Sequence, residues 1–245
     1  MQNTPPVVKI FSEDAAAGGY VYTRPGKLSA LTSNRRQSRA ILDAVSFAGK
    51  RVVDLGCGDG TYTLEFVTLG RAASVLGVDP AQGAIVHAEK LLKARKAANV
   101  SFLQASIDDF TPETPFDIAV LRGVLHHMDD PEAAIAKALR VARQVVILEP
   151  NGLNIVLKLI EKLSAYHRRH GERSFLPSTL EKWVAAGGGT VTKRSYINLV
   201  PFFCPDALVR VLAVLEPIVE AIPVLRNFAC GQCLLVCEGG ASRGQ

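Results

Sequence analysis

Seven segments of the chain read as strands, five of them short runs rich in Val, Ile and Leu. Five come early: RVVDLG (51–56), SVLGVD (74–79), VSFLQA (100–105), FDIAVL (116–121) and QVVILE (144–149). Two follow later, TVTKRSYINL (190–199) and QCLLVCE (232–238). In the early five, apolar residues succeed one another without alternation, the pattern of strands covered on both faces. Helical patterns lie among them at 60–70, 81–97 and 131–142, the last opened by Asp130-Pro131, a capping residue with proline at the first helical position. Such alternation specifies a parallel, doubly wound sheet with right-handed crossovers. The expected fold is α/β and Rossmann-like, a seven-stranded, mostly parallel sheet with helices on both faces.

A sheet of that kind binds ligands beyond the carboxyl ends of its strands, next to the point where strand order reverses. The loop after the first run, Asp54-Leu55-Gly56-Cys57-Gly58-Asp59-Gly60, lies there and carries glycines at alternate positions. Glycine tolerates positive φ and lets a backbone approach closely. The dinucleotide fingerprint is G-x-G-x-x-G. Here the spacing is Gly56-x-Gly58-x-Gly60, and the polar Asp54 stands where that fingerprint has an apolar residue. A nicotinamide-dependent dehydrogenase is thereby weakened as a reading, though not removed.

The residues after the other strands carry a resemblance. VVDLGCGDG resembles the first motif of the class I S-adenosylmethionine (SAM) dependent methyltransferases, and LGVDP their acidic second motif. ASIDDF resembles the third and FDIAVLRGVLHHMDDPEAA the fourth, all in order within about residues 50–150. The similarity is closest to the small-molecule branch that includes ubiquinone- and menaquinone-type enzymes. It implies SAM as cofactor, S-adenosylhomocysteine as product, and in-line methyl displacement onto a hydroxyl, carbon or amine of a small acceptor.

The resemblance also assigns roles. Gly56, Cys57, Gly58 and Gly60 would border the methionine and ribose portions, and Asp54 would anchor the turn or accept from the ligand's ammonium. Asp79 would accept from both ribose hydroxyls, with the Pro80 ring on the adenine face. Ser106 stands where the family usually has an aspartate toward the adenine amino group, leaving the Ile107 backbone to read the ring edge. Arg122 would pass close to the sulfonium end. His126 is the candidate proton acceptor, with a wall of the acceptor pocket as its alternative, and His127 reads as a structural loop histidine. No N/D-P-P-Y/F stretch follows the fourth strand, which argues against methylation of adenine or amide nitrogen. A non-catalytic SAM-binding partner or regulatory domain is the competing reading from another class.

The 245 residues, 48% apolar, suit one α/β domain. Within it, 1–49 is expected to be an N-terminal cap, with a helix over 28–48 on the sheet's carboxyl edge and Tyr20, Tyr22 and Arg24 either closing over cofactor or acceptor or packing as a plain strap. Residues 50–150 form the cofactor-binding core, 151–189 an insert shaping the acceptor pocket, and 190–245 the C-terminal strands and helix. A long helical pattern spans 152–169 and a short one 178–186. Another covers 206–221, where Pro217 should kink or divide it. The apolar helices at 153–163 and 206–221 read as core helices, with the lining of a pocket for a hydrophobic or lipid-linked acceptor as the alternative.

The formal charge of +5 is spread over short clusters such as Arg35, Arg36 and Arg39, without interleaved aromatics, so nucleic acid is not an expected partner. No signal peptide and no run of roughly 18 uncharged apolar residues is present, and a cytoplasmic protein is expected. Five cysteines argue for free thiols. Cys230-x-x-Cys233, with Cys204 upstream, has ligand spacing on one side only, and Cys233 and Cys237 read as small apolar residues on one strand face, so no metal is assigned.

Overall fold

The computed structural model describes residues 8–9, 12–13, 26–163, 173–202 and 204–239. Seven strands form one sheet: β1 Arg51–Leu55, β2 Ser74–Asp79, β3 Val100–Gln104, β4 Phe116–Arg122, β5 Ala142–Pro150, β6 Thr190–Ile197 and β7 Gln232–Glu238. Their order is β3-β2-β1-β4-β5-β7-β6. The first five pair in parallel, and β7 runs antiparallel to both of its neighbours. Strand order reverses at β1, between β2 and β4, so the glycine turn leaves the sheet at the expected switch point.

Successive residues of the central strands feed opposite faces, as the pleat requires. Val53 and Leu55 of β1 and Val145 and Ile147 of β5 enter one apolar cluster, and Val52, Val146 and Leu148 enter the other. The first cluster is covered by α4 (Pro131–Val141) through Ile135 and Leu139. Its start is set by Asp130, whose side chain accepts from the Ala133 amide at 2.9 Å. The second cluster is covered by α1 (Leu28–Ala44) through Ile41 and by α2 (Thr63–Thr68) through Phe66. Helix α3 (Gln82–Arg95) links β2 to β3, and α6 (Pro177–Ala186) precedes β6. The helix expected over 28–48 thus packs on a sheet face, and it reaches the carboxyl edge only through polar residues described below.

Three expectations need correction. The helix expected over 152–169 is α5, Ile155–Leu163, begun by Asn154, which accepts from the Leu157 amide at 2.9 Å; residues 164–172 lie outside those described. Of the two outcomes expected at Pro217, a kink or a division, division does not occur: α7 runs from Asp206 to Ala221, and the break comes at Ile222, whose extended backbone precedes α8 (Pro223–Ala229). A proline costs a helix one hydrogen bond, and here side chains one position before and three after it, Glu216 and Glu220, are tied to neighbouring chain.

The third correction is larger. Helices α5 and α7 are not core helices. Among their hydrophobic residues, Ile155 is 73% exposed and Val214 73%, and on α7 only Val209 and Glu216 are buried. Helical periodicity records that one stripe is apolar, and tertiary context decides what covers it.

Cys230, Cys233 and Cys237 are buried, and burial pushes each thiol up to about 12, so they act as neutral apolar side chains. Tyr20, Tyr22 and Arg24 lie outside the described residues.

Candidate functional site

The turn after β1 is built around three glycines in left-handed conformation, Gly56 (φ 80°), Gly58 (φ 54°) and Gly60 (φ 77°). Its entry is fixed by the Gly56 and Cys57 amides, which donate to the Val78 carbonyl at 2.8 and 3.1 Å. At two of these glycines the missing side chain makes room for protein. A Cβ on Gly56 would lie 2.4 Å from Val124 Cγ2, and one on Gly60 would lie 2.7 Å from Phe102 and 2.8 Å from Ala88. The turn is therefore wedged between the loop after β4 and the packing of α3 on β3.

Carboxylates converge on it. Asp54, buried at the end of β1, accepts from the Thr63 hydroxyl at 2.6 Å. Asp79, ending β2, accepts from the Gly58 amide at 2.9 Å and from the Ala81 amide at 2.8 Å, one bond to each oxygen. Asp59, in the turn itself, accepts from the Thr61 amide at 3.0 Å. Burial pushes the Asp54 carboxyl up to about 6, with the Thr63 bond and Arg122 pulling the other way and Asp79 adding to the rise. Burial also raises Asp79, against its two amide bonds, and Asp59 raises it further. The Cys57 thiol is driven well up by burial and by these same acids.

The nearby cation is Arg122, at the end of β4. Its guanidinium donates to the Ser38 hydroxyl at 2.9 Å and to the Asn34 carbonyl at 3.3 Å on α1, and it lies 3.6 Å from the centre of the Tyr62 ring. Burial lowers its pKa, against the attraction of Tyr62, Glu65 and Asp54. Arg122 is thus committed to α1 and Tyr62. Beyond β3, the Ser106 hydroxyl donates to Asp109 at 2.7 Å and accepts from the Asp109 amide at 3.0 Å, closing a turn that buries Ile107.

Past β4, Leu125–His127 form a short 3₁₀ turn. His126 is 6% exposed and its Nδ1 lies 2.7 Å from Glu149 Oε2. The other carboxylate oxygen, Oε1, accepts from the Val124 and Leu125 amides at 2.9 and 2.8 Å. Glu149, at the end of β5 and fully buried, therefore clamps both the loop and its histidine. The rings of His126 and His127 lie 3.9 Å apart. Reading the residues alone misses Glu149. Its signal was one carboxylate at the end of an uninterrupted apolar run, the same signal that Asp54 gives in the first strand.

A family model described as a methyltransferase domain matches residues 46–183. An uncharacterized methyltransferase of Schizosaccharomyces pombe is 37% identical over 100 residues, 38% of this chain and 36% of that protein. The ubiquinone biosynthesis O-methyltransferase of Methylococcus capsulatus is 28% identical over 161 residues, 58% of this chain and 64% of that protein. The chain thus spans less than two thirds of the length of either relative. Magnesium protoporphyrin IX methyltransferase of Synechocystis PCC 6803, solved with bound S-adenosylhomocysteine, superimposes with a TM-score of 0.63 over 95% of this chain and 94% of that one, at 13% identity, and so shares the fold. The match over residues 46–183, with the seven-stranded sheet and its glycine turn, places this chain in the methyltransferase-domain family, among the class I SAM-dependent methyltransferases.

Proposed function

We propose that the chain binds SAM in the turn after β1 and transfers its methyl group to a hydroxyl of a small, hydrophobic acceptor. The observation that carries the cofactor reading is the convergence of Asp54, Asp59 and Asp79 on one glycine turn, with the neighbouring guanidinium of Arg122 committed to α1 and Tyr62. A pyrophosphate needs the opposite field and open amides at the start of the following helix. Asp59 instead caps the Thr61 amide just before that helix, with a negative charge. A ligand bearing a sulfonium and an ammonium is attracted where a dinucleotide is repelled.

The residues fit the group part by part. Each Asp79 oxygen spends one lone pair on an amide and keeps another for a ribose hydroxyl. Gly56, Cys57, Gly58 and Gly60 give the backbone border of the site, and Asp54 is the carboxylate beneath the ammonium. Pro80 and the Ile107 backbone face the adenine side, since the Ser106 hydroxyl is engaged by Asp109. When bound, SAM supplies a methyl group on a good leaving group. The protein then has to align the acceptor and exclude water.

His126 serves a hydroxyl acceptor. A carboxylate at Nδ1 holds the ring proton there, which makes Nε2 the nitrogen that takes a proton, and the same carboxylate stabilises the resulting imidazolium. The hydroxyl class also agrees with the O-methyltransferase of Methylococcus capsulatus. In this reading residues 50–150 hold the cofactor, 151–189 and 190–245 flank the acceptor, and the segment before α1 caps the site.

Calorimetric titration with S-adenosylhomocysteine and NAD, side by side, tests the cofactor; binding of NAD alone would overturn the proposal. Transfer of labelled methyl from SAM into a pool of phenolic and quinol-like compounds tests the reaction. Binding without any transfer would favour the non-catalytic partner reading.

A further inference from the structure

Helices α5, α7 and α8 turn an apolar face outward. On α7, Val214 and Ile218 are 73% and 58% exposed, and on α8, Val224 is 72% exposed. Ile155 and Val156 of α5 are exposed as well. The helices are contiguous: α8 packs on α7 and on α5. Single exposed aliphatics are ordinary, but a surface of this extent on three adjoining helices marks an interaction site. None of these helices is long and apolar enough to cross a membrane.

The distribution of charge on them is one-sided. From Val211 to Leu225 the only polar side chains are Glu216 and Glu220, and both turn inward. Glu216 accepts from the Leu199 amide at 2.7 Å, and Glu220 accepts from the Asn198 amide at 3.0 Å and pairs with the Arg36 guanidinium. On α5, Glu161 is held by Lys158 at 3.1 Å. The exposed charges on the outer side of α7 are the cation Arg210 and, at its first residue, Asp206. Arg226 is half-buried and donates to the Glu220 carbonyl.

We propose that this face docks the protein onto the surface of a bilayer containing anionic lipid. A protein partner normally meets about one hydrogen bond for every 100–200 Å² of interface, and the outer side of α7 and α8 offers no side-chain donor or acceptor between Val211 and Leu225. A bilayer needs none. Amphipathic helices lie in the headgroup region with aliphatic side chains in the acyl boundary and basic ones toward anionic lipid, and here Arg210 is the cation that takes the second role. The face also adjoins the candidate site. Asn151, just beyond Glu149 and Pro150, donates to the Asn227 and Cys230 carbonyls at 2.8 and 2.9 Å, and Asn154 donates to the Ala229 carbonyl at 2.9 Å. Docking would bring the carboxyl edge of the sheet to the lipid surface, where a hydrophobic acceptor resides. Membrane docking stands apart from methyl transfer, and the test below reads only binding.

Co-sedimentation of the full chain with vesicles of phosphatidylcholine and about one-third phosphatidylglycerol tests it. The wild type should pellet with the vesicles. The double variant Val214→Asp, Ile218→Asp should bind at least about tenfold less while its melting temperature stays within a few degrees, because both positions are exposed. Val224→Asp on α8 provides a second route to the same loss. Arg210→Gln should weaken binding by about fivefold and leave less dependence on salt. A wild type that stays in the supernatant overturns the proposal, as does a double variant that binds as well as wild type. So does a wild-type dimer in sedimentation velocity that the double variant dissociates, if no vesicle binding accompanies it.

Discussion

Glu149 and His126, 23 residues apart in the chain, share a 2.7 Å contact in the interior, and the oxygen of Glu149 that does not face the ring holds the two amides immediately before the histidine. One buried carboxylate thus fixes both the path of the loop and the tautomer of its imidazole. A glutamine there has a single acceptor oxygen and cannot do both.

Glu149→Gln should therefore lower turnover by about 10², with cofactor affinity nearly unchanged. The wild-type rate profile should carry an acidic limb, because an imidazole that already holds both ring protons cannot take another. His126→Ala should abolish that limb, and His127→Ala should leave it in place. If all three variants show the wild-type profile, alignment and desolvation account for the whole rate.

Asp79→Asn retains an acceptor oxygen but loses the charge and one amide partner. S-adenosylhomocysteine affinity should fall about ten- to a hundredfold by calorimetry. Asp79→Ala should lose at least as much and also melt lower, since the Gly58 and Ala81 amides are both left without their acceptor. Unchanged affinity in both variants would remove Asp79 from the ligand site.

Asp54 makes a prediction about pH. Its folded-state pKa, about 6, lies above the ordinary 3.8, so the fold holds a proton that the unfolded chain releases between these values. Its contribution to the unliganded protein is fully present below about 4 and is lost as pH rises through 6, by up to about 3 kcal/mol. Asp54→Asn keeps an acceptor for Thr63 and cannot ionise. Denaturant titrations should show it at least as stable as wild type at pH 7, with the difference closing as pH falls toward 4.

Gly60 and Gly188 form a matched pair for testing packing in the turn. Both have φ near 80°, but a Cβ on Gly188 meets nothing within 4 Å, whereas one on Gly60 strikes Phe102 and Ala88. Gly188→Ala should cost only the conformational strain, about 1 kcal/mol. Gly60→Ala should cost about 2–4 kcal/mol in the same assay. Equal losses would show that φ alone, and not close packing, selects glycine at position 60.

The sheet was legible because the covered strands β1, β4, β5 and β7 leave near-continuous aliphatic runs, and the other expected segments also became strands although β3 and β6, at the two edges, are largely exposed. Its single reversed strand was not, since QCLLVCE reads the same in either direction of pairing. The glycine turn, Asp54 and Asp79 were legible through local spacing. Arg122 was read as lying near the sulfonium end, and it proves to be the last residue of β4; its partners Asn34 and Ser38 lie 88 and 84 residues away, and no local pattern carries such a contact. Glu149 stayed hidden for the same reason. The outward faces of α5 and α7 were misread because an apolar stripe at helical period is the same string of letters whether protein covers it or not.

The reversal of β7 has a consequence for how this molecule can change. Since β6 ends and β7 begins at the carboxyl edge, joined through the pair Ile197 and Gln232, the two strands are the arms of a hairpin and residues 198–231 are its loop. Lengthening a loop costs little once its ends are pinned, roughly 0.6 kcal/mol per doubling. Residues can thus be added within this loop without altering the register of a single strand, so long as Glu216 and Glu220 keep their hold on the Leu199 and Asn198 amides.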